Sequence, residues 1–315
     1  MTKSAPLLIA VDLGGTKIRA AVFNASLRPL FKTELASEAC DGRDSVLSAL
    51  SEAIDRNLGW LAQHAPGVPV AGIGISTAGV VDAQSGVILD ATDAIPGWRG
   101  TELLAWLEGR FHLPVAVEND VKCALLGELN ASPSLATVRV VMLTLGTGLG
   151  GAIAEAGGIV GGAHSVAGHF GRMPVPSPWE QGAMLPLEAL VSGTGLANVA
   201  SKIGGAREYS NGRAVLEQAT SGDAQALLGI NRFCGHLAMA LEQLYWALDP
   251  DTILIGGGLV EARELWWPRL QEKCRHAGLP TEIRPAQLNN DAGLYGAGAL
   301  IKSMMNVGVG TDAGK

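Results

Sequence analysis

Two rhythms of apolar residues alternate along this chain: short apolar runs that stop at glycines, and longer stretches with apolar residues every three or four positions. Leu7–Leu13 (LLIAVDL) ends on Gly14-Gly15 and reads as a buried strand, and Lys17–Asn24 returns as a second, predicting a hairpin. Ser45–Gln63 carries Val46, Leu50, Ile54, Leu58 and Leu61 on one helical face. Val70–Ser76 predicts a strand and Thr101–Phe111 a helix. Pro114–Val117 is a strand running into Glu118-Asn119-Asp120, and Val121–Leu129 is the helix that follows. The hairpin pattern then recurs: Arg139–Leu145 (RVVMLTL), a Gly146–Gly151 turn and a return strand Ala152–Glu155. The two glycine clusters lie roughly 130 residues apart, near half the chain, which a duplicated α/β domain explains. Asp223–Leu248 is the longest helical pattern, with Leu227, Ile230, Cys234, Leu237, Leu241, Leu244 and Leu248 on its core face. Thr252–Ile255 is a strand closing on Gly256-Gly257-Gly258, and Ala292–Met304 is a helix rich in small residues. Met173–Pro186, with Pro174, Pro176, Pro178 and Pro186, reads as a stiffened loop, and Asn306–Lys315 as a disordered tail.

Composition narrows the picture. A chain of 315 residues suggests two domains, and 48% hydrophobic against 17% charged residues supplies large cores. The 42 glycines sit inside apolar stretches, where they suit tight turns between buried strands rather than a linker. The formal net charge is −7 with no basic run, which argues against nucleic acid as a partner. Cys40, Cys123, Cys234 and Cys274 form no CxxC pair and read as reduced, mostly buried thiols. The first residues lack a signal-peptide layout, and no apolar run approaches the ~20 residues of a membrane span. The expectation is a cytoplasmic protein that does not engage membranes.

The glycine clusters are the candidate chemistry. A P-loop is disfavoured because G-x-x-x-x-G-K-[ST] is absent. Gly146-x-Gly148-x-x-Gly151 matches a dinucleotide fingerprint, but a strand-like Ala152-Ile153-Ala154 follows it, and Gly171 stands ~20 residues on where an acidic residue belongs. Any one Gly-Gly pair could be only a tight hairpin. Three clusters after strands, with Asp12 and Asp120 at strand ends, favour phosphate-reading turns instead. Thr16 and Thr147 add hydroxyl donors, and Asp12 could hold Mg²⁺ or its water shell.

In order along the chain, Asp12-Leu13-Gly14-Gly15-Thr16-Lys17, Glu118-Asn119-Asp120, Gly146-Thr147-Gly148-Leu149-Gly150-Gly151 and Asp291-Ala292-Gly293-Leu294-Tyr295-Gly296-Ala297 resemble the ROK family of sugar kinases and repressors. The resemblance implies an α/β, actin-like (ribonuclease H-like) duplicated fold, two lobes with a central cleft, ATP on one side and sugar at the base. It implies an N-terminal lobe of residues 1–118 joined by the helix 291–305, and a C-terminal lobe of 119–290. Asp120 matches the catalytic base. Gly79, Thr92, Asn119, His169 and Glu188 match sugar-pocket positions. Asp12, Gly14, Gly15, Thr16, Lys17, Gly146, Thr147, Gly148, Gly256, Gly257 and Gly258 match the ATP side. ATP and Mg²⁺ are the implied cofactors, and a homodimer the implied assembly. Plainer roles exist: Asn-Asp before a helix can be an N-cap, and Glu188 a first-turn glutamate. Repressors of the family carry a helix-turn-helix ahead of the first turn. Asp12 lies eleven residues from the start, so a repressor is not the expectation.

Two departures bear on substrate. Many members hold zinc with a His and three Cys. Here Arg172 takes the His position and no cysteine lies between Cys123 and Cys234, so no structural zinc is expected. His169 stands where glucose-specific members usually have Glu and bacterial N-acetylmannosamine kinases often have His. Val80, after Gly79, replaces a polar side chain of some relatives. The leading expectation is phosphorylation of the 6-hydroxyl of N-acetylmannosamine, a step in sialic acid catabolism. A glucokinase or N-acetylglucosamine kinase is the alternative within the family, and a non-catalytic sugar-binding regulator the alternative from another class.

Overall fold

The computed structural model describes residues 5–204 and 207–309. The chain divides into two compact units, one containing the chain up to Pro133, Gly161–Val166 and the chain from Asp291 onward, the other Ser134–Val160 and Ala167–Asn290.

In the first unit, β1 (Leu7–Leu13) and β2 (Lys17–Phe23) form the expected hairpin, with Leu13 opposite Ile18 and the Gly14 N–H bonded to the Lys17 carbonyl across Gly15-Thr16. β3 (Pro29–Ala36) alternates half-buried and exposed positions, as an edge strand with one wet face does. α1 (Arg43–His64) follows, then β4 (Val70–Thr77), the small ribbon β5 (Val80–Asp82) and β6 (Val87–Asp90), α2 (Leu103–Phe111), β7 (Val115–Asn119) and α3 (Asp120–Ala131). The main sheet runs β3-β2-β1-β4-β7, with β1, β4 and β7 parallel. Parallel strands are covered on both faces, hence their nearly unbroken apolar runs. On one face α1 buries Val46, Leu50 and Ile54 against Ile9, Val11 and Ile73. On the other, the C-terminal helix (Ala292–Val309) buries Leu294, Ala297 and Ile301 against Leu8, Ala10 and Phe23. A Cβ at Gly296 would strike the Cys123 carbonyl, so only glycine lets this helix lie directly on α3. The helix continues beyond Met304 to Val309; the rest of the expected tail, 310–315, lies outside the described residues.

The second unit repeats this plan. β8 (Arg139–Leu145) and β9 (Leu149–Glu155) pair around a three-residue loop, Gly146–Gly148, so Gly150 and Gly151 belong to the return strand rather than to the turn. β10 (Gly158–Ile159) extends the hairpin. The Met173–Pro186 segment, expected as loop, contains a ribbon, β11 (Pro174–Pro176) with β12 (Met184–Pro186). Its prolines flank a single Val175–Leu185 pair, which a two-stranded edge tolerates because few ladder N–H groups are needed there. α4 (Gly193–Gly204), α5 (Gly212–Thr220) and α6 (Ala224–Leu248) precede β13 (Thr252–Gly256), α7 (Trp267–His276) and β14 (Glu282–Pro285). The sheet order is β10-β9-β8-β13-β14. A hairpin extended by two parallel strands thus occurs twice, as expected of a duplicated α/β chain. Among the described residues no helix is long and apolar enough to cross a membrane.

Candidate active site

In the first unit the chemistry gathers where β1, β4 and β7 end. Strand β7 carries its pattern two residues further than the apolar run suggests, through Glu118 and Asn119, and α3 starts at Asp120. Asn119, not Asp120, is the N-cap: its Oδ1 accepts from the N–H groups of Val121 (3.0 Å) and Lys122 (3.2 Å). Its Nδ2 donates to the Gly79 carbonyl (2.8 Å) and to Asp120 Oδ1 (2.8 Å). Two acceptor sites and two donors are all an amide has, so Asn119 is fully engaged inside the protein. It can meet a sugar hydroxyl only by giving up one of these bonds. Gly79 sits at φ +107, where a Cβ would press to 2.7 Å from the Asp90 carbonyl. Its backbone geometry and its bond to Asn119 both fix Gly79.

Asp120 is partly buried. Both the Val121 N–H (2.9 Å) and Asn119 reach its Oδ1, and Oδ2 receives neither. Burial, reinforced by the Asp12 charge, pushes its carboxyl up to about 6, against the pull of those two donors. A base in that range is ionised at neutral pH yet basic enough to take a proton. Asp12 accepts from Arg19 (2.6 Å) on Oδ2 and from the buried Ser76 hydroxyl (2.8 Å) on Oδ1. Arg19 was absent from the sequence-derived site, although the hairpin register sets Asp12 opposite it. Of the first turn, a Cβ at Gly15 would meet nothing within 4 Å, which leaves its backbone open to a ligand; Lys17 pairs with Glu34. Thr92 lies exposed in the irregular segment after β6, with none of the bonds that hold Gly79, Asn119 and Asp120 together.

Behind Asp120 is a buried ion pair that the sequence reading missed. Lys122 is 1% exposed and Glu118 5%; their charged atoms lie 3.7 Å apart. Glu118 Oε1 also accepts from the Asn119 N–H (2.7 Å), and Lys122 donates to the Ser165 carbonyl (3.0 Å). Burial raises the Glu118 carboxyl, and Lys122 opposes that rise. Asn119→Ala is expected to cost the cap, about 1 kcal/mol, and to lower kcat more than it raises the sugar KM. Equal loss in both, from steady-state kinetics, would return Asn119 to direct sugar binding.

In the second unit a cavity of about 810 Å³ is lined by Gly146 and Thr147, the first residues of α4, one side of α5, and Gly258, Leu259, Glu261, Ala262 and Leu265. α4 and α5 begin side by side, for a Cβ on Gly212 would come to 2.7 Å from the Gly193 carbonyl. Two helix N-termini present partial positive charge there, which suits phosphate. A Cβ on Gly258 would meet nothing within 4 Å, and on Gly146 nothing closer than 3.9 Å: these glycines leave a cradle that side chains would fill. Leu216, Leu259 and Leu265 supply apolar wall for a base, and Arg213 and Glu261 polar rim. The residues present fit ATP. Gly257 has a different reason to be glycine: at φ +86 a Cβ would hit the Leu145 backbone at 2.6 Å. Gly256 likewise packs on Met142 and Ala286. Glu188 reaches the second turn, its Oε2 at 3.5 Å from the Leu149 N–H and 2.9 Å from where a Gly148 Cβ would lie. His169 precedes the turn Phe170–Arg172, whose Phe170 packs over Gly151 at the start of β9.

Among the described residues no group of three or more His, Cys, Asp and Glu side chains is arranged for a metal ion. Asp12 is a lone carboxylate already bound to Arg19 and Ser76. Each oxygen keeps a second lone pair, which fits hydrogen bonds from the water shell of an Mg²⁺ carried by substrate phosphates.

A ROK family model matches residues 8–304. The chain is 30% identical over 321 aligned positions to a glucokinase of Halalkalibacterium halodurans, covering 95% of this chain and 96% of that one. A Streptomyces griseus ROK glucokinase solved with glucose and AMPPNP superposes with TM-score 0.74 at 28% identity, covering 92% and 97% of the two chains. A Listeria monocytogenes protein proposed to be an N-acetylmannosamine kinase gives 0.79 at 28%, covering 95% and 99%. These likenesses agree with the actin-like expectation drawn from the motifs and with the repeated sheet order. With a family match over nearly the whole chain and a relative aligned almost end to end, this protein is a member of the ROK family.

Proposed function

We propose that this protein is an ATP-dependent kinase that phosphorylates the 6-hydroxyl of N-acetylmannosamine. The observation that carries the kinase reading is Asp120: a carboxylate whose Oδ1 is held by Asn119 and the Val121 N–H and whose carboxyl burial raises to about 6. Oδ2 accepts the proton of the sugar hydroxyl as its oxygen forms the new bond to the γ-phosphorus, while the bond from that phosphorus to the β,γ-bridging oxygen breaks and ADP leaves. Asn119 and the Val121 N–H keep the carboxylate aimed throughout. The glycine turn at Gly146–Gly148 and the starts of α4 and α5 hold phosphate oxygens by backbone N–H groups and helix charge. Mg²⁺, when bound with the nucleotide, neutralises phosphate charge, and Asp12 would hold its water shell.

The sugar reading rests on His169 and Glu188. An imidazole can donate to and accept from sugar hydroxyls and lacks the charge of a glutamate, which suits an axial N-acetyl group. The 6-phosphate of such a sugar is what sialic acid breakdown consumes. The Halalkalibacterium relative's name keeps glucose as the second reading. ADP release with ATP·Mg²⁺ against N-acetylmannosamine, N-acetylglucosamine, glucose and mannose tests both. A kcat/KM for N-acetylmannosamine at least tenfold above the rest, about 1.4 kcal/mol, is expected. A preference for glucose overturns the sugar assignment alone, and no turnover with any of them favours a non-catalytic regulator. His169→Glu is expected to shift the preference toward glucose by ~10-fold or more; an unchanged ratio removes His169 from specificity.

A further inference from the structure

One hairpin of the second unit, the β11–β12 ribbon, joins the two residues read as sugar contacts. His169 precedes the turn Phe170–Arg172 that leads into β11, and Glu188 is the second residue after β12. At the base of the ribbon the Leu187 N–H donates to the Met173 carbonyl (2.8 Å). Glu188 then runs into α4: its carbonyl accepts from the Ser192 hydroxyl (2.7 Å), and the Gly193 N–H donates to the Gly146 carbonyl (2.7 Å) of the second glycine turn.

The ribbon itself is poor in backbone donors, because Pro174, Pro176, Pro178 and Pro186 have no N–H. Its hold on the rest of the unit therefore falls to side chains. Near the base, buried Val175 and half-buried Leu185 pack into the core. At the tip, the Ser177 hydroxyl accepts from the N–H groups of Trp179 and Glu180 (both 3.2 Å) and shapes the turn. Half-buried Trp179 packs against the same core, and the Lys202 ammonium lies 4.0 Å from its ring centroid. Among the described residues no carboxylate pairs with Lys202, so the indole face is the partner of this cation. Lys202 stands in the last turn of α4, roughly 13 Å along the axis from Gly193 at 1.5 Å per residue.

We propose that Trp179 and Lys202 are positioning residues for sugar recognition: by fastening the ribbon tip to the far end of α4, they fix the spacing of His169 and Glu188. The near end of α4 is fastened to the phosphate turn, so turn, helix and ribbon form a closed frame with Glu188 at one corner. Opening the frame at the tip leaves the base bond intact but lets the ribbon pivot on it, which loosens both sugar residues. Such contacts act on bound sugar before and during the reaction alike, so their loss raises KM and leaves kcat nearly unchanged. The nucleotide cavity contains neither Trp179 nor Lys202 and keeps its shape. The proposal rests on the reading of His169 and Glu188 as sugar contacts.

Steady-state kinetics with the best sugar of the panel test it, with thermal unfolding as the folding control. Lys202→Gln, which removes the charge, is expected to raise the sugar KM about 2–5-fold. Trp179→Ala also gives up packing on the core and is expected to raise it about 5–10-fold. In both, kcat and the ATP KM stay within about twofold of the parent. Lys202→Arg, whose guanidinium also stacks on an indole, is expected to match the parent. The double variant Trp179→Ala/Lys202→Gln should be no worse than Trp179→Ala, because both changes remove one contact. Glu188→Gln in the same assay separates the clamp from the sugar reading beneath it. If Glu188→Gln raises the sugar KM and the clamp variants do not, the clamp is overturned and the sugar reading stands. If Glu188→Gln leaves that KM unchanged, the sugar reading falls and the proposal with it. Clamp variants that raise the sugar and ATP KM together, or a Lys202→Arg protein as weak as Lys202→Gln, overturn the positioning role.

Discussion

Asp120→Asn lowers kcat by roughly 10²–10⁴-fold or more while sugar KM stays within a few-fold, because an amide of the same shape keeps the Val121 and Asn119 bonds but cannot take the hydroxyl proton. The same substitution is expected to stabilise the fold at neutral pH. The folded state holds this carboxyl at about 6, against 3.8 for an ordinary aspartate. Below both values the carboxyl is protonated in folded and unfolded chains and costs nothing. As pH rises from about 4 to 6 the unfolded chain releases the proton first, so the parent loses stability, and the loss levels off above that range. It amounts to about 1–3 kcal/mol at pH 7. Urea unfolding of both proteins at pH 4.5 and 7.5 checks this: the advantage of the variant is expected to be larger at the higher pH. An advantage independent of pH would mean that Asp120 is not held near 6.

Lys122→Met is the second large effect, and it falls on stability. The substitution leaves the Glu118 carboxylate buried without its cation and the Ser165 carbonyl without its donor. Breaking a buried pair from one side costs about 3–5 kcal/mol, because the remaining charge keeps its full desolvation penalty. Adding Glu118→Gln removes that charge and is expected to recover part of the loss, since the amide oxygen can still accept from the Asn119 N–H. The deficit of the single variant should also shrink at lower pH, where Glu118, already raised by burial and now without Lys122, takes a proton. Denaturant midpoints for the two single variants and the double variant form the cycle. A Lys122→Met protein as stable as its parent would show that the pair is not buried in solution.

The parts read correctly from sequence are those whose cause is local. Both glycine hairpins, the helix over α1 and the long α6 follow from runs and spacings of a few residues, and the repeat exposed the duplication. The position of Asp120, after a buried strand and at the start of a helix, was legible because that pattern is local, whereas its role as base came from the family resemblance. Arg19 could have been found too, since a turn at Gly15-Thr16, closed by the Gly14–Lys17 backbone bond, sets it opposite Asp12. The helix α4 was missed because it opens on Gly193, Thr194 and Gly195, poor helix formers whose place is set by packing on the second turn. The β11–β12 ribbon was hidden by its prolines. Glu118 stands only four residues before Lys122, but nothing local shows that both are buried, and the second partner of Lys122, the Ser165 carbonyl, is 43 residues away along the chain. The N-cap role open to Asn-Asp falls to Asn119, and its four bonds, which tie Gly79, Asp120 and the first turn of α3 into one unit, could not be read from local sequence.

The pH dependence of kcat/KM for the best sugar of the panel, at saturating ATP·Mg²⁺ from pH 5 to 9, tests Asp120 as general base most directly. The base works ionised, so activity should fall as pH drops through about 6, approaching a tenfold loss per pH unit below it. Asp120→Asn should keep only a low rate without that limb. A parent profile flat across pH 5 to 7, or an Asp120→Asn protein with the parent's rate and the same acid limb, would contradict the assignment.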